Sequence, residues 1–175
     1  MLWTMQQEGL QANSFSYSAL ISACSRGRQW EWAFHAFHEM EQQGLQPNLV
    51  THNAAITAVA RGDQWRIAVQ LLAQMQTLGP PPDEIAFNAV IAACKKATRW
   101  IKALEVLESL SESGLTPDLY AYNAAMGACR RGSEWSKALF LLQEARQACL
   151  VPDALSYATV ASSCRRAGPG VLAPR

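Results

Sequence analysis

Residues 84–118 read EIAFNAVIAACKKATRWIKALEVLESLSESGLTPD, and the same order of residue types recurs along the chain. Tryptophan and proline mark the recurrence most clearly, because each returns at an interval of 35 residues. The positions are Trp30, Trp65, Trp100 and Trp135, and Pro47, Pro82, Pro117 and Pro152. A constant interval of this length is typical of stacked structural repeats. The 175 residues are therefore expected to form a tandem array and not a single globular domain.

Each period contains two stretches in which the apolar residues are spaced as on one face of an α-helix. In the quoted repeat the first stretch carries Phe87, Val90, Ile91 and Cys94, and the second begins at Trp100. The Arg-Gly pairs at 26–27, 61–62 and 131–132 predict the end of a first helix. Gly44, as a left-handed cap followed by Pro47, predicts the end of a second helix, and Gly79, Gly114 and Cys149 hold its place in later repeats.

Such hairpins cannot bury both apolar stripes alone, so neighbours are expected to stack around a continuous core. This predicts an all-α solenoid of helix-turn-helix hairpins, and the spacing leaves its superhelical hand open. The tryptophans are interpreted as packing residues. Four repeats are predicted at 14–48, 49–83, 84–118 and 119–153. Residues 1–13 are interpreted as the second helix of a preceding repeat, and 154–175 as a first helix with a tail, as in a fragment of a longer protein.

The composition and motifs argue against several classes of protein. No apolar run reaches 18 residues, which predicts no membrane span, and no targeting peptide is visible at the N-terminus. Neither a phosphate-binding loop nor a paired acid and base is found, so no enzyme activity, cofactor or small-molecule substrate is predicted. His35 and His38 lack a third ligand at a suitable spacing and are interpreted as surface residues, so no metal site is predicted.

The 35-residue period, the YNAAM segment at 122–126 and the GLTPD segment at 114–118 together resemble the pentatricopeptide repeat (PPR) family in its P-type form. Residues 53–65, NAAITAVARGDQW, look like the Trp-containing variant found in algae and related protists. The resemblance implies a right-handed α-α superhelix that binds single-stranded RNA. It also implies a role in RNA processing, stability or translation in the chloroplast or mitochondrion, alongside other RNA-processing proteins.

In that family each repeat contacts one nucleotide, and two residues choose the base. They are the residue after the aromatic residue of the first helix and the residue after the terminal proline. The resemblance assigns these roles to Ser18 with Asn48, Asn53 with Asp83, Asn88 with Asp118, and Asn123 with Asp153, and the family's pairing rules then imply an A-U-U-U tract. Two alternatives stay open: Asn or Asp after proline is also ordinary helix-capping chemistry, and tandem duplication could have copied the pairs.

Two further sets of residues complete the predicted RNA site. Base stacking is assigned by the resemblance to an apolar residue near the start of each repeat: Phe15, Val50, Ile85 and Tyr120. These residues could instead staple adjacent hairpins. Phosphate contacts are assigned to a basic column at the ends of first helices, namely Arg26, Arg61, Lys96 and Arg131, with Arg166 continuing it. Cations there would also stabilise the helix dipole.

The net charge of only +1 conceals a predicted separation of charge. Nine acidic residues are assigned to second helices: Glu8, Glu31, Glu39, Glu41, Glu105, Glu108, Glu112, Glu134 and Glu144. The rival interpretation is a scaffold for protein–protein interaction, because helical repeats also bind peptides. Polar and basic first helices would favour RNA, whereas an apolar groove would favour a peptide.

Overall fold

The computed structural model describes residues 13–166, and every regular element in that range is an α-helix. The helices are α1 (Ser14–Arg26), α2 (Trp30–Gln42), α3 (Leu49–Arg61), α4 (Trp65–Leu78), α5 (Glu84–Lys96), α6 (Trp100–Glu112), α7 (Leu119–Arg131), α8 (Trp135–Gln147) and α9 (Ala154–Arg166). The predicted all-α hairpin fold is thus confirmed. The helix predicted before residue 13 and the tail predicted after residue 166 lie outside the described residues.

Residues 13–166 divide into two compact units, the first ending at Pro82 and the second beginning at Asp83. In unit 1, α1 contacts α2 and α3, and α3 contacts α2 and α4. In unit 2, α5 contacts α6 and α7, while α7 contacts α6, α8 and α9. First helices therefore pack on first helices within each unit, and second helices pack between them.

Every first helix begins after an Asn or Asp whose side chain accepts a hydrogen bond from a backbone N–H three residues later. The caps are Asn13, Asn48, Asp83, Asp118 and Asp153, with distances of 2.9, 2.9, 3.0, 2.7 and 2.8 Å respectively. Such a cap contributes about 1 kcal/mol to helix stability. The capping role considered for the residues after proline is thus confirmed, so any base-reading role must be an additional one.

The first helices end where the Arg-Gly pairs predict, but the left-handed residue follows the glycine. Gly62 has φ −78°, whereas Asp63 has φ +60°. Conformation therefore does not require glycine at 62. Close approach does, because a Cβ on Gly62 would lie 2.3 Å from Cγ of Trp30, in the preceding repeat. Trp100 covers Gly132 in the same way at 2.2 Å, which confirms the packing role of these two tryptophans.

The second helices end in two ways. Gly44 and Gly114 are left-handed, at φ +72° and +79°, as predicted. Gly79 instead adopts an extended conformation with φ −101°, and α4 runs one residue further than α2. The cause is Pro80, because a proline ring restricts the preceding residue to extended conformations. Cys149 takes the left-handed conformation without being a glycine, at φ +59°.

The core of each unit contains the predicted apolar stripes. Phe87, Val90, Ile91 and Cys94 have no exposed surface. His52 replaces the aromatic residue of α3 and is also buried. Its Nδ1 lies 3.2 Å from the carbonyl oxygen of Asn48, and its ring meets Phe37 edge to face at 5.0 Å. Burial lowers the pKa of His52, although the Asn48 carbonyl and the charge of Glu41 act in the opposite direction.

Candidate nucleic-acid interface

In unit 2, the structure brings together both predicted base-reading pairs. The amide Nδ2 of Asn88 donates to Oδ2 of Asp118, and Nδ2 of Asn123 donates to Oδ1 of Asp153, each at 3.3 Å. An Asn amide carries two N–H donors and a carboxylate accepts several hydrogen bonds. Each pair therefore retains one amide N–H beside a carboxylate, which matches the adjacent acceptor and donor groups on the edge of a base.

The pair predicted for repeat 1 is connected through a third residue. Oγ of Ser18 lies 2.6 Å from Oγ1 of Thr51, which donates to Oδ1 of Asn48 at 2.9 Å. The two residues of the pair predicted for repeat 2 belong to different units. Asn53 is half-buried on α3 in unit 1, and Asp83 caps α5 in unit 2.

Hydrogen bonding favours the charged form of the Asp153 carboxyl group. The backbone N–H of Ser156 is the largest cause that lowers the pKa of Asp153, and the Asn123 amide adds to this effect. The carboxylate is solvent-facing. It is therefore available as an anionic acceptor for the N–H of a base.

Apolar side chains stand next to the reading residues on the first helices. The predicted stacking residues are all exposed: Phe15 by 81%, Val50 by 63%, Ile85 by 60% and Tyr120 by 57%. Each lies three residues before a reading residue, and that spacing places both on one helix face. Such exposure argues against a staple between hairpins and fits a platform on which bases stack.

The predicted phosphate-binding residues Arg26, Arg61, Lys96 and Arg131 are all exposed at the ends of first helices. Two of them also have a structural role. Nη1 of Arg61 donates to the Ser25 carbonyl at 3.2 Å, and Nη1 of Arg131 donates to the Lys96 carbonyl at 3.4 Å. These arginines thus cap the preceding first helix, a contact distinct from the helix-dipole role considered for their own helices. A guanidinium has five N–H donors, so each retains others for an anion.

Two cations that the sequence interpretation missed lie closer to the reading residues. Lys95 is seven residues after Asn88, and Arg130 is seven residues after Asn123, so each is about two turns along the same helix face. The side chain of Lys95 lies over Gly127, because a Cβ added at Gly127 would come within 2.7 Å of Cε of Lys95. Burial, and then the charges of Arg130 and Arg131, lower the pKa of Lys95. These mutually repelling cations form a local positive patch in unit 2.

Most of the acidic residues predicted to lie in second helices are found there. Seven of the nine acidic residues lie in second helices: Glu31, Glu39, Glu41, Glu105, Glu108, Glu112 and Glu144. Glu134 is instead the residue that precedes α8. Glu8 lies outside the described residues.

His38 lies on α2 next to Glu41, with 3.2 Å between Nδ1 and Oε2, and both His35 and His38 are exposed. Within residues 13–166, no cluster of three or more His, Cys, Asp or Glu side chains is arranged to hold a metal ion. None of the described helices has the length and apolar character needed to cross a membrane.

Stacked 35-residue hairpins, with an Asn in the first helix and an Asp before the next one, define an α-helical repeat protein. The family model for the pentatricopeptide repeat domain matches residues 1–62 and 70–131. The chain therefore belongs to the pentatricopeptide repeat family, as its motifs predict. No curated protein sequence matches it.

Solved structures of the same fold include the PPR protein PPR10 from maize, with 23% identity, a TM-score of 0.81 and coverage of 93% of this chain. PPR10 in complex with an 18-nucleotide psaJ RNA element has 31% identity, a TM-score of 0.75 and coverage of 91%. The chain spans only 23% of either PPR10 chain. The PPR domain of Arabidopsis thaliana protein-only RNase P 1, in complex with tRNA, has 18% identity and a TM-score of 0.80, with 93% of this chain and 86% of that one covered.

Proposed function

We propose that this chain binds single-stranded RNA through its first helices, with one nucleotide per repeat and a preference for an A-U-U-U tract. The observation that carries the proposal is the repeated Asn–Asp hydrogen bond, between Asn88 and Asp118 and again between Asn123 and Asp153. Both pairs stand beside an exposed apolar residue. Capping alone accounts for the aspartates but not for an Asn in the first helix, which disfavours helix by roughly half a kcal/mol relative to Ala.

The positive patch of Lys95, Arg130 and Arg131 supports an anionic polymer as the partner, because phosphate neutralisation supplies most of the affinity of such complexes. Membership of a family whose solved members include RNA complexes supports the same partner. The first helices carry polar and basic groups along this face, which favours RNA over the alternative of a peptide scaffold. Binding without catalysis is the activity proposed for this chain, in chloroplast or mitochondrial RNA processing, stability or translation.

The test measures affinities of the full chain for RNAs of equal length by fluorescence anisotropy at low salt. We expect an oligonucleotide containing AUUU between cytidines to bind more tightly than oligocytidine. Replacing Asn88 or Asn123 with Ala removes a base contact of about 1 kcal/mol, so each should weaken AUUU binding roughly fivefold. Gln143→Ala, an exposed change on the second helix α8, is the matched control and should have no effect.

Base preference would be ruled out by equal affinities for the two RNAs. Absence of RNA binding, with a stable protein partner recovered in its place, would establish the scaffold alternative. A linear decrease of log K with log salt concentration would identify the phosphate contribution, at a slope of about −0.7 per contact for a single strand.

A further inference from the structure

Ser156, the third residue of α9, contacts both base-reading residues of repeat 4. Its Oγ lies 2.7 Å from Oδ1 of Asn123 and 2.8 Å from Oδ1 of Asp153. The backbone N–H of Asp153 donates to the same Oγ at 3.2 Å. Ser156 has no exposed surface, so water does not compete for these bonds. The hydroxyl joins the two reading residues into one closed network.

Thr51, the third residue of α3, makes the corresponding contacts in unit 1. Its Oγ1 lies 2.6 Å from Oγ of Ser18 and donates to Oδ1 of Asn48. Thr51 is likewise without exposed surface. The same position thus links the reading residues of the preceding repeat in both units, with a different reading pair in each.

Repeat 3 has the same reading pair as repeat 4 but lacks the hydroxyl. Ala121 is the third residue of α7, and only its backbone N–H reaches the cap residue Asp118. Oδ1 of Asn88 is buried and accepts no hydrogen bond from the described residues. The amide of Asn88 is therefore held at one end only, by its bond from Nδ2 to Asp118.

The Ser156 hydroxyl has a single hydrogen, and the acceptor of this hydrogen determines how the amide of Asn123 is held compared with that of Asn88. Oδ1 of Asp153 already accepts from the Ser156 backbone and from the Asn123 amide, whereas Oδ1 of Asn123 has no other donor among the described residues. The hydroxyl hydrogen therefore goes to Asn123. The amide of Asn123 is then held at both ends, with its oxygen inward and one N–H left for a base. Oδ1 of Asn88 has no donor among the described residues, so only the bond from Nδ2 to Asp118 opposes rotation of this amide.

We propose that the third residue of a first helix is a specificity-determining position for the preceding repeat. A Ser or Thr there holds the reading side chain in one orientation, whereas Ala allows it to turn. Repeat 4 should accordingly discriminate more strongly between uridine and cytidine than repeat 3, although their reading pairs are identical. This inference rests on the proposed function, because it concerns how the same site selects a base.

The experiment exchanges the two residues in the full chain. Affinities are measured for the AUUU oligonucleotide and for variants in which the third or the fourth tract position is cytidine. Ser156→Ala should reduce the U-over-C ratio at the fourth position by about threefold to tenfold, the effect of one hydrogen bond, and leave the third position unchanged. Ala121→Ser should raise the ratio at the third position by a similar factor. Melting curves followed by circular dichroism show that each variant is folded.

Ser163→Ala is the matched control, because Ser163 is a buried serine of the same helix whose hydroxyl, among the described residues, bonds to the Thr159 carbonyl alone. It should leave both ratios unchanged. If Ser156→Ala leaves the fourth-position ratio intact while Asn123→Ala reduces it, the inference is wrong and the proposed function stands. If the unaltered chain binds every RNA equally, or binds none, the inference and the proposed base reading are both overturned.

Discussion

Replacing Gly62 with Ala tests whether tryptophan packing, and not backbone conformation, requires glycine at the end of α3. The backbone of Gly62 is at φ −78° and ψ 10°, which any residue adopts without strain. The added Cβ would nevertheless lie 2.3 Å from both Cγ and Cδ1 of Trp30 and 2.9 Å from its Cβ. These atoms belong to the base of the side chain, so relief requires movement of the whole ring or of the helix that carries it.

The magnitude follows from two opposing terms. Overpacking in a tight contact costs about 1–3 kcal/mol, and the depth of this overlap places it at the upper end. Gly-to-Ala replacement at an unstrained position stabilises the folded state by about 0.4–1 kcal/mol, because it reduces the conformational entropy of the unfolded chain. We therefore expect Gly62→Ala to lower the free energy of unfolding by about 1–2 kcal/mol.

Gly27 offers a matched control at the same position of repeat 1. Its backbone is equivalent, at φ −75° and ψ 2°, but the nearest described atom to an added Cβ is 3.4 Å away. Gly27→Ala should therefore raise the free energy of unfolding by about 0.4–1 kcal/mol.

Urea denaturation followed by circular dichroism measures both variants, and the two should differ by about 2–3 kcal/mol. In a Trp30→Ala background the cost at Gly62 should disappear. Equal stabilisation by Ala at 27 and 62 would refute the packing argument, as would an undiminished cost in that background.

Three other outcomes are expected. Burial lowers the pKa of His52 below its ordinary value of 6.5, so the folded state binds the proton less tightly than the unfolded chain. The stability present above pH 6.5 should therefore be lost as the pH falls. His52→Phe should flatten that part of the pH–stability curve, and an unchanged curve would contradict a role of His52 in the pH dependence. Lys95→Ala should reduce the salt dependence of RNA binding by about 0.7 in log–log slope, whereas Lys102→Ala, which removes a cation paired with Glu105 at 2.6 Å on a second helix, should leave the slope unaltered. Cys149→Gly should raise the urea midpoint through relief of a left-handed residue, worth about 0.5–1 kcal/mol, and an equal gain from Cys149→Ala would show that conformation is not the cause.

Much of the fold could be predicted from the sequence, because helix spacing, caps and terminators are properties of a few consecutive residues. The apolar stripe of Phe87, Val90, Ile91 and Cys94 is buried as predicted, and Gly44 ends α2 in the predicted left-handed conformation. Gly79 differs only because of Pro80, which is itself a local effect that the sequence contained.

The contacts between repeats could not be predicted in this way, because they join atoms of residues about 30 to 36 positions apart and depend on how one hairpin stacks on the next. The covering of Gly62 by Trp30 is one such contact, since the sequence suggested only a helix terminator there. The hydroxyl of Ser156 is another. The candidate pairs of repeats 3 and 4 have the same sequence, Asn with Asp, yet among the described residues a donor reaches Oδ1 of Asn123 and none reaches Oδ1 of Asn88. The 35-residue period and the candidate pairs could therefore be identified from the sequence alone. The hydrogen bonding of each pair depends instead on the helix of the next repeat that packs against it.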